Sequence, residues 1–273
     1  MGMILIAACS SPPDGQIPGV VDRLMTDRPA PAADRVEVWI CDVPADTTAT
    51  LYGDLPLRLP LDPATVAAVL DRRIGDYFEV VSHGAYRPTV VAGGIVTMRP
   101  VDSDVDCVDD ALDRSGDDAT VVLAVATAEH VEGRPGGWGT PGSWLSCAGS
   151  CPARTTRRAA SVGASDFSPD WGPVPLLDLI EHELGHTLGL PHSSIGNDGQ
   201  YLGALDLMSN SAAPREVDPG TLDGPDLLGI DRVDLGWLPM SDVVVAEGRT
   251  TVTLAPSTGP AVTRLLVLPI DDH

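Results

Sequence analysis

The chain has 273 residues, 43% hydrophobic and 21% charged, a length and balance that suit one ordinary domain with a small appendage. Its net charge of -22, with 17 basic residues that are all arginine, argues against nucleic acid as a partner. Glycine (28) and proline (25) are frequent and aromatics make up only 4%, so a loop-rich fold with a core of Val, Leu, Ile and Ala is expected.

The chain opens with an apolar run that ends at Cys9. Ile6-Ala7-Ala8-Cys9 resembles the lipobox of bacterial lipoprotein signals. That resemblance implies export to the extracellular side or cell surface of a bacterium, with Cys9 as a lipid anchor. The run is short for a complete signal peptide and lacks a basic start, so a chance apolar start is the plainer alternative. Residues 10–34, rich in Pro, Asp and Ala, read as a tether, which makes 1–34 signal remnant and leader. No later stretch is long enough to span a membrane. Cys41, Cys107, Cys147 and Cys151 allow three pairings in an exported protein. One of them closes a tiny loop between Cys147 and Cys151 and staples the N-terminal half through Cys41 and Cys107.

Val36 to Ile40 alternates and reads as the first strand. Asp62 caps a helix that starts with Pro63 and runs to about Ile74. Thr89 to Met98 reads as a strand or hairpin. Residues 102–118 carry eight aspartates, which could make a calcium site, but the sixth position after Asp102 is not glycine. A solvated helix around Cys107 to Arg114 is the favoured reading. Thr120 to Ala126 is a strong strand. Residues 133–160 read as a long loop, with Arg154, Arg157 and Arg158 as a local basic patch that pairs with surface aspartates.

The most informative stretch is Leu176 to His192, LLDLIEHELGHTLGLPH. His182 and His186 lie four residues apart, so a helix puts both on one face, where two imidazoles can grip one metal ion. Glu183 sits beside the first ligand, placed to take a proton from a water on the metal. Gly189 and His192 extend the pattern to H-E-x-x-H-x-x-G-x-x-H. A helix cannot return His192 to the same metal, so the chain must turn, and Gly189 is where positive φ belongs. Half of the chain's 6 histidines occupy this spacing, which unrelated core histidines would not do.

This extended motif resembles the metzincin clan of zinc metallopeptidases. The resemblance implies an α/β (α+β) fold with a twisted mixed sheet, an active-site helix and a C-terminal subdomain carrying a Met-turn. It implies Zn2+ on His182, His186 and His192, with Glu183 as general base and a protein or peptide substrate. Asp206-Leu207-Met208-Ser209, 16 residues after His192 at the methionine, resembles that Met-turn. Met208 would then be a soft floor beneath the histidines, not a ligand. In this arrangement a sheet strand borders the cleft and substrate adds to it; Thr120 to Ala126, or a neighbouring strand, is the candidate.

Tyr77 to Gly84 resembles a helix-ending Ser-Tyr-Gly turn of the immune-inhibitor and gametolysin-like branch, with His83 in the Tyr place. Leu227 to Leu238 resembles the helix and Leu-Gly-Trp turn of the same branch. The catalytic domain is therefore expected over 35–240, its upper part to 191 and its lower part from 192. The segments Val243 to Ala246, Thr250 to Leu254 and Thr263 to Leu268 would form a small β appendix over 241–273. Two rival functions remain: a non-catalytic zinc-containing binding or adhesion protein, against which Glu183 speaks, and a hydrolase of cell-wall peptides.

Overall fold

A computed structural model of the chain describes residues 33–45, 58–128, 137–141, 158–164, 167, 177–195, 200–201, 206–209, 224–246, 249, 251–255 and 263–268. Strands β1 (Arg35–Asp42), β2 (Thr89–Thr97), β3 (Val121–Ala126), β4 (Gly137–Thr140) and β5 (Arg158–Val162) form a sheet in the order β2-β1-β3-β5-β4. β2, β1, β3 and β5 run parallel, and β4 runs antiparallel to β5 at one edge. The sheet is therefore mixed. β1 and β3 are covered on both faces, which is why VEVWI and VVLAV read as nearly unbroken apolar runs.

Helices α1 (Pro63–Val81) and α3 (Asp178–Thr187) share one face of the sheet, where Val38, Leu70, Phe78, Leu123, Ile180 and Leu184 join a single core. Helix α2 (Asp104–Arg114) covers the other face with Trp39, Val108, Leu112 and Val122. A disulfide between Cys41 on β1 and Cys107 on α2 ties that second layer to the sheet, with Cα atoms 6.1 Å apart. This is one of the pairings open from sequence; Cys9, Cys147 and Cys151 lie outside the described residues.

Three expectations are corrected and one is narrowed. Helix α1 does not stop at Ile74 but continues to Val81. Gly75-Asp76 looks like a stop, yet Tyr77, Phe78 and Val81 prolong the buried stripe of Val66, Leu70 and Ile74. The helix ends where His83 takes φ 57 and the His83 and Gly84 amides donate to the Val80 and Glu79 carbonyls. Of the two readings of Thr89 to Met98, the strand holds: β2 pairs parallel with β1. The stretch 133–160, read as loop, contains β4 and the start of β5, which hid because GWGT and RAASV are rich in glycine and alanine. Finally, of the three C-terminal segments expected as strands, β6 (Val243–Val245) and β7 (Leu265–Val267) pair in parallel, while 251–255 forms no strand. That pair packs through Val243 and Leu265 on Val233 and Leu238, beside helix α4 (Gly229–Asp234).

The aspartates of 102–118 form the helix expected there. Ser103 and Asp106 make a reciprocal capping box at the start of α2, Asp102 pairs with Arg99, and Asp110 pairs with Arg114. Asp104 accepts from the Trp138 indole N–H at 2.6 Å. Among the described residues, no helix is long and apolar enough to cross a membrane.

Candidate functional site

α3 opens at Asp178 without a side-chain cap and carries His182, Glu183 and His186. It ends in a double bond pattern: the Gly189 amide donates to the His186 carbonyl at 2.9 Å, and the Leu190 amide to the Gly185 carbonyl at 3.2 Å. Gly189 has φ +93 with open space around its Cα, so the glycine serves backbone conformation and not packing. The turn sends the chain back, and His192 arrives beside the two helical histidines. The ring centroids of the three lie 4.7, 5.1 and 4.6 Å apart pairwise. One ring nitrogen from each falls within 4.8 Å of the others. Among the described residues this is the one His, Cys, Asp or Glu group with such spacing.

The tautomers follow from the hydrogen bonds. His182 Nδ1 meets the Leu207 carbonyl at 2.6 Å, and His186 Nδ1 meets the Leu190 carbonyl at 2.7 Å. A carbonyl only accepts, so each Nδ1 carries the proton and each Nε2 keeps its lone pair. Burial, and after it the neighbouring imidazoles, push His182 down to about 4, against the raising effect of the Leu207 carbonyl. His186 and His192 are lowered too, by burial first. Neutral imidazoles with fixed tautomers are the form that binds a divalent metal. His182 is buried, His186 half-buried and His192 exposed, so the group opens to solvent on one side. These donors fit Zn2+.

Glu183 is 4% exposed, and its Oε2 has no hydrogen-bond partner among the described residues. Burial alone raises its pKa to about 8. Met208 is fully buried. A Cβ on Gly185 would stand 2.5 Å from Met208 Sδ, so the glycine inside the H-E-L-G-H run lets the thioether lie directly against the helix. The segment is tied twice to the histidine group: Leu207 through its carbonyl to His182, and Met208 through its carbonyl to the amide of Ser193, next to His192, at 2.8 Å.

Three features escaped the sequence reading. The strand beside α3 is β4, whereas β3 is interior, between β1 and β5. Gly137 and Gly139 of β4 abut Glu183 and His186. Arg158 forms an ion pair with buried Asp34, which also accepts from Tyr86 and Thr120, and it reaches the Thr187 carbonyl at the end of α3. The basic patch thus has one structural member here; Arg154 and Arg157 lie outside the described residues.

No known family profile and no curated protein matches the chain. Among solved structures, archaemetzincin from Methanopyrus kandleri superposes with a TM-score of 0.39 at 16% identity, covering 75% of this chain and 96% of that one. A chaperone-substrate complex superposes with a TM-score of 0.32 at 14% identity, covering 75% of this chain and 33% of that one. At such low scores neither likeness assigns the chain to a family, and its function is argued from its own residues.

Proposed function

We propose that the chain is a zinc-dependent endopeptidase of metzincin type, in which His182, His186 and His192 hold the metal and Glu183 is the general base. The observation that carries this reading is the convergence of three imidazoles, two of them with tautomers fixed by backbone carbonyls, beside a buried carboxylate whose Oε2 lacks a partner among the described residues. Zn2+ held there supplies Lewis acidity, which makes water more acidic and polarises a carbonyl. Glu183 accepts the proton of the attacking water and delivers it to the departing amine nitrogen. Leu207 and Leu190 hold the rings through their carbonyls, and Met208 is the soft floor under them.

β4 is the outer strand on the α3 side, and among the described residues nothing pairs with its far edge. An extended peptide adds there as a further strand, which replaces β3 as the substrate rim. The catalytic unit spans 35–240 in this reading, with 241–273 as an appendix. The Cys41–Cys107 disulfide supports an exported, extracellular protein, and the Cys9 anchor belongs to the same reading.

The test is metal analysis combined with digestion of an unbiased peptide library, comparing the protein with Glu183→Ala. One equivalent of zinc is expected, with cleavage abolished by chelator and by the substitution. Cleavage that survives Glu183→Ala, or protein refolded with zinc that retains none, overturns it. Cell-wall peptides in the library separate that substrate class from proteins, and zinc without cleavage favours a binding protein.

A further inference from the structure

β4 reads Gly137-Trp138-Gly139-Thr140, and strand geometry sends alternate positions to opposite faces. Trp138 and Thr140 are buried, and the indole packs in the α2-side core and is pinned to Asp104. The opposite face, with Gly137 and Gly139, meets α3. A Cβ at 139 would lie 2.0 Å from the Glu183 carbonyl oxygen and 2.8 Å from His186 Cβ. At 137 it would lie 2.8 Å from the Ser161 carbonyl oxygen and 3.0 Å from both Cγ and Oε1 of Glu183. The strand backbone therefore occupies the space that side chains would need. Glu183 Oε2 has no hydrogen-bond partner among the described residues, so packing contributes directly to the carboxylate's orientation, and Gly137 is part of that packing.

We infer that Gly137 and Gly139 are positioning residues with divided roles: Gly137 sets the carboxylate of Glu183, and Gly139 sets the depth of α3 at the His186 ligand. This rests on the peptidase reading for its kinetic half, while its metal half stands alone. A methyl at 137 pushes on the flexible end of Glu183 and on β5, leaving the histidines in place. A methyl at 139 meets helix backbone and the first carbon of a ligand, neither of which can swing aside.

The experiment is purified full-length protein with Gly137→Ala, Gly139→Ala and Trp138→Phe, read by zinc titration against a competing chelator dye and by kcat and KM on a peptide the parent cleaves. Gly137→Ala is expected to keep zinc affinity within about threefold and KM within about threefold while kcat falls about 10- to 100-fold. Gly139→Ala is expected to weaken zinc at least about tenfold, in the range seen when a ligand's support is lost. Trp138→Phe keeps the ring but loses the bond to Asp104, and should lower kcat about fivefold with zinc unchanged. Parental kcat in Gly137→Ala overturns the inference, as does equal zinc loss in the two glycine variants. If Gly139→Ala does not fold, the other two decide. A parent that binds zinc yet cleaves nothing sinks the peptidase reading, and the zinc titrations still test the division between the two glycines.

Discussion

Helices α1 and α3 lie on the same face of the same sheet and share one core, yet they are built on opposite terms. α1 has 19 residues, an Asp62 cap, proline at its start, and a buried face of Val66, Leu70, Ile74, Tyr77, Phe78 and Val81. α3 has 10 residues, no side-chain cap, and buries Asp178, Glu181, His182, Glu183 and Thr187 beside Ile180 and Leu184. A helix so short and so polar inside is marginal alone, and each buried polar group carries a desolvation cost. Its order comes from outside: Leu207 and Leu190 hold its imidazoles, Arg158 reaches its last turn, and β4 lies flat against it. α1 makes the core, whereas α3 is made orderly by what surrounds it, which is how a site gains fixed geometry at the expense of local stability.

If that contrast is right, stripping the metal acts on α3 and not on α1. Chelation should abolish hydrolysis and, from a thousandfold excess of zinc over Kd, lower the unfolding free energy by about 4 kcal/mol. Calorimetry with and without chelator reads this, and a His182→Ala protein should show no such difference. An unchanged scan would break the comparison. The stapled half gives the opposite pattern. Removing the disulfide with Cys41→Ala and Cys107→Ala opens a crosslink of sequence separation 66 and should cost about 3 to 4 kcal/mol, while zinc affinity stays within about threefold. Denaturant melts paired with zinc titration check it. Within the core, Leu70→Ala on α1 should cost about 3 kcal/mol by leaving a cavity at a fully buried position. Its zinc-bound protein should keep parental kcat at temperatures below the melt; a large loss of kcat would mean that α1 also orders the site.

The same contrast explains what could be read from sequence. Periodicity announced α1, β1 and β3, because their residues serve burial and little else. The histidine spacing announced the three-histidine group and the turn at Gly189, because a shared metal would fix residues at those intervals. β4 was invisible for the reason it matters: its residues facing α3 are glycines, so it has neither β propensity nor an apolar face there. Nothing local marks Gly185, which is needed because Met208 lies against the helix at that position. The buried Asp34, with Tyr86, Thr120 and Arg158 around it, joins residues far apart in the chain, and nothing local signals such a cluster. The continuation of α1 past Gly75 was a local stop overridden by packing, since the guanidinium of Arg87 lies 3.0 Å from where that Cβ would be.

The smallest expected effect concerns carboxylates. On α2, Asp106 caps the start and Asp110 pairs with Arg114 at the surface. Asp231 on α4 is 8% exposed, and its Oδ2 has no partner among the described residues. Burial, then the charges of Asp206 and Asp234, raise its pKa to about 7 against the lowering effect of Arg232. The folded protein therefore binds this proton more tightly than the unfolded chain, whose aspartate titrates near 4. The sign follows: the contribution is intact below pH 4, declines as pH rises, and is gone once pH passes about 7. Asp231→Asn removes the charge but keeps the shape. It should match the parent at pH 4 and exceed its stability at pH 8, with a shallower fall between. Asp206, raised the same way by burial, leaves a residual slope in the variant. Urea melts across that range measure the difference. Parallel curves for the two proteins would mean that Asp231 finds water or a partner in solution, and that the half of the molecule carrying the site bears less buried charge than its packing indicates.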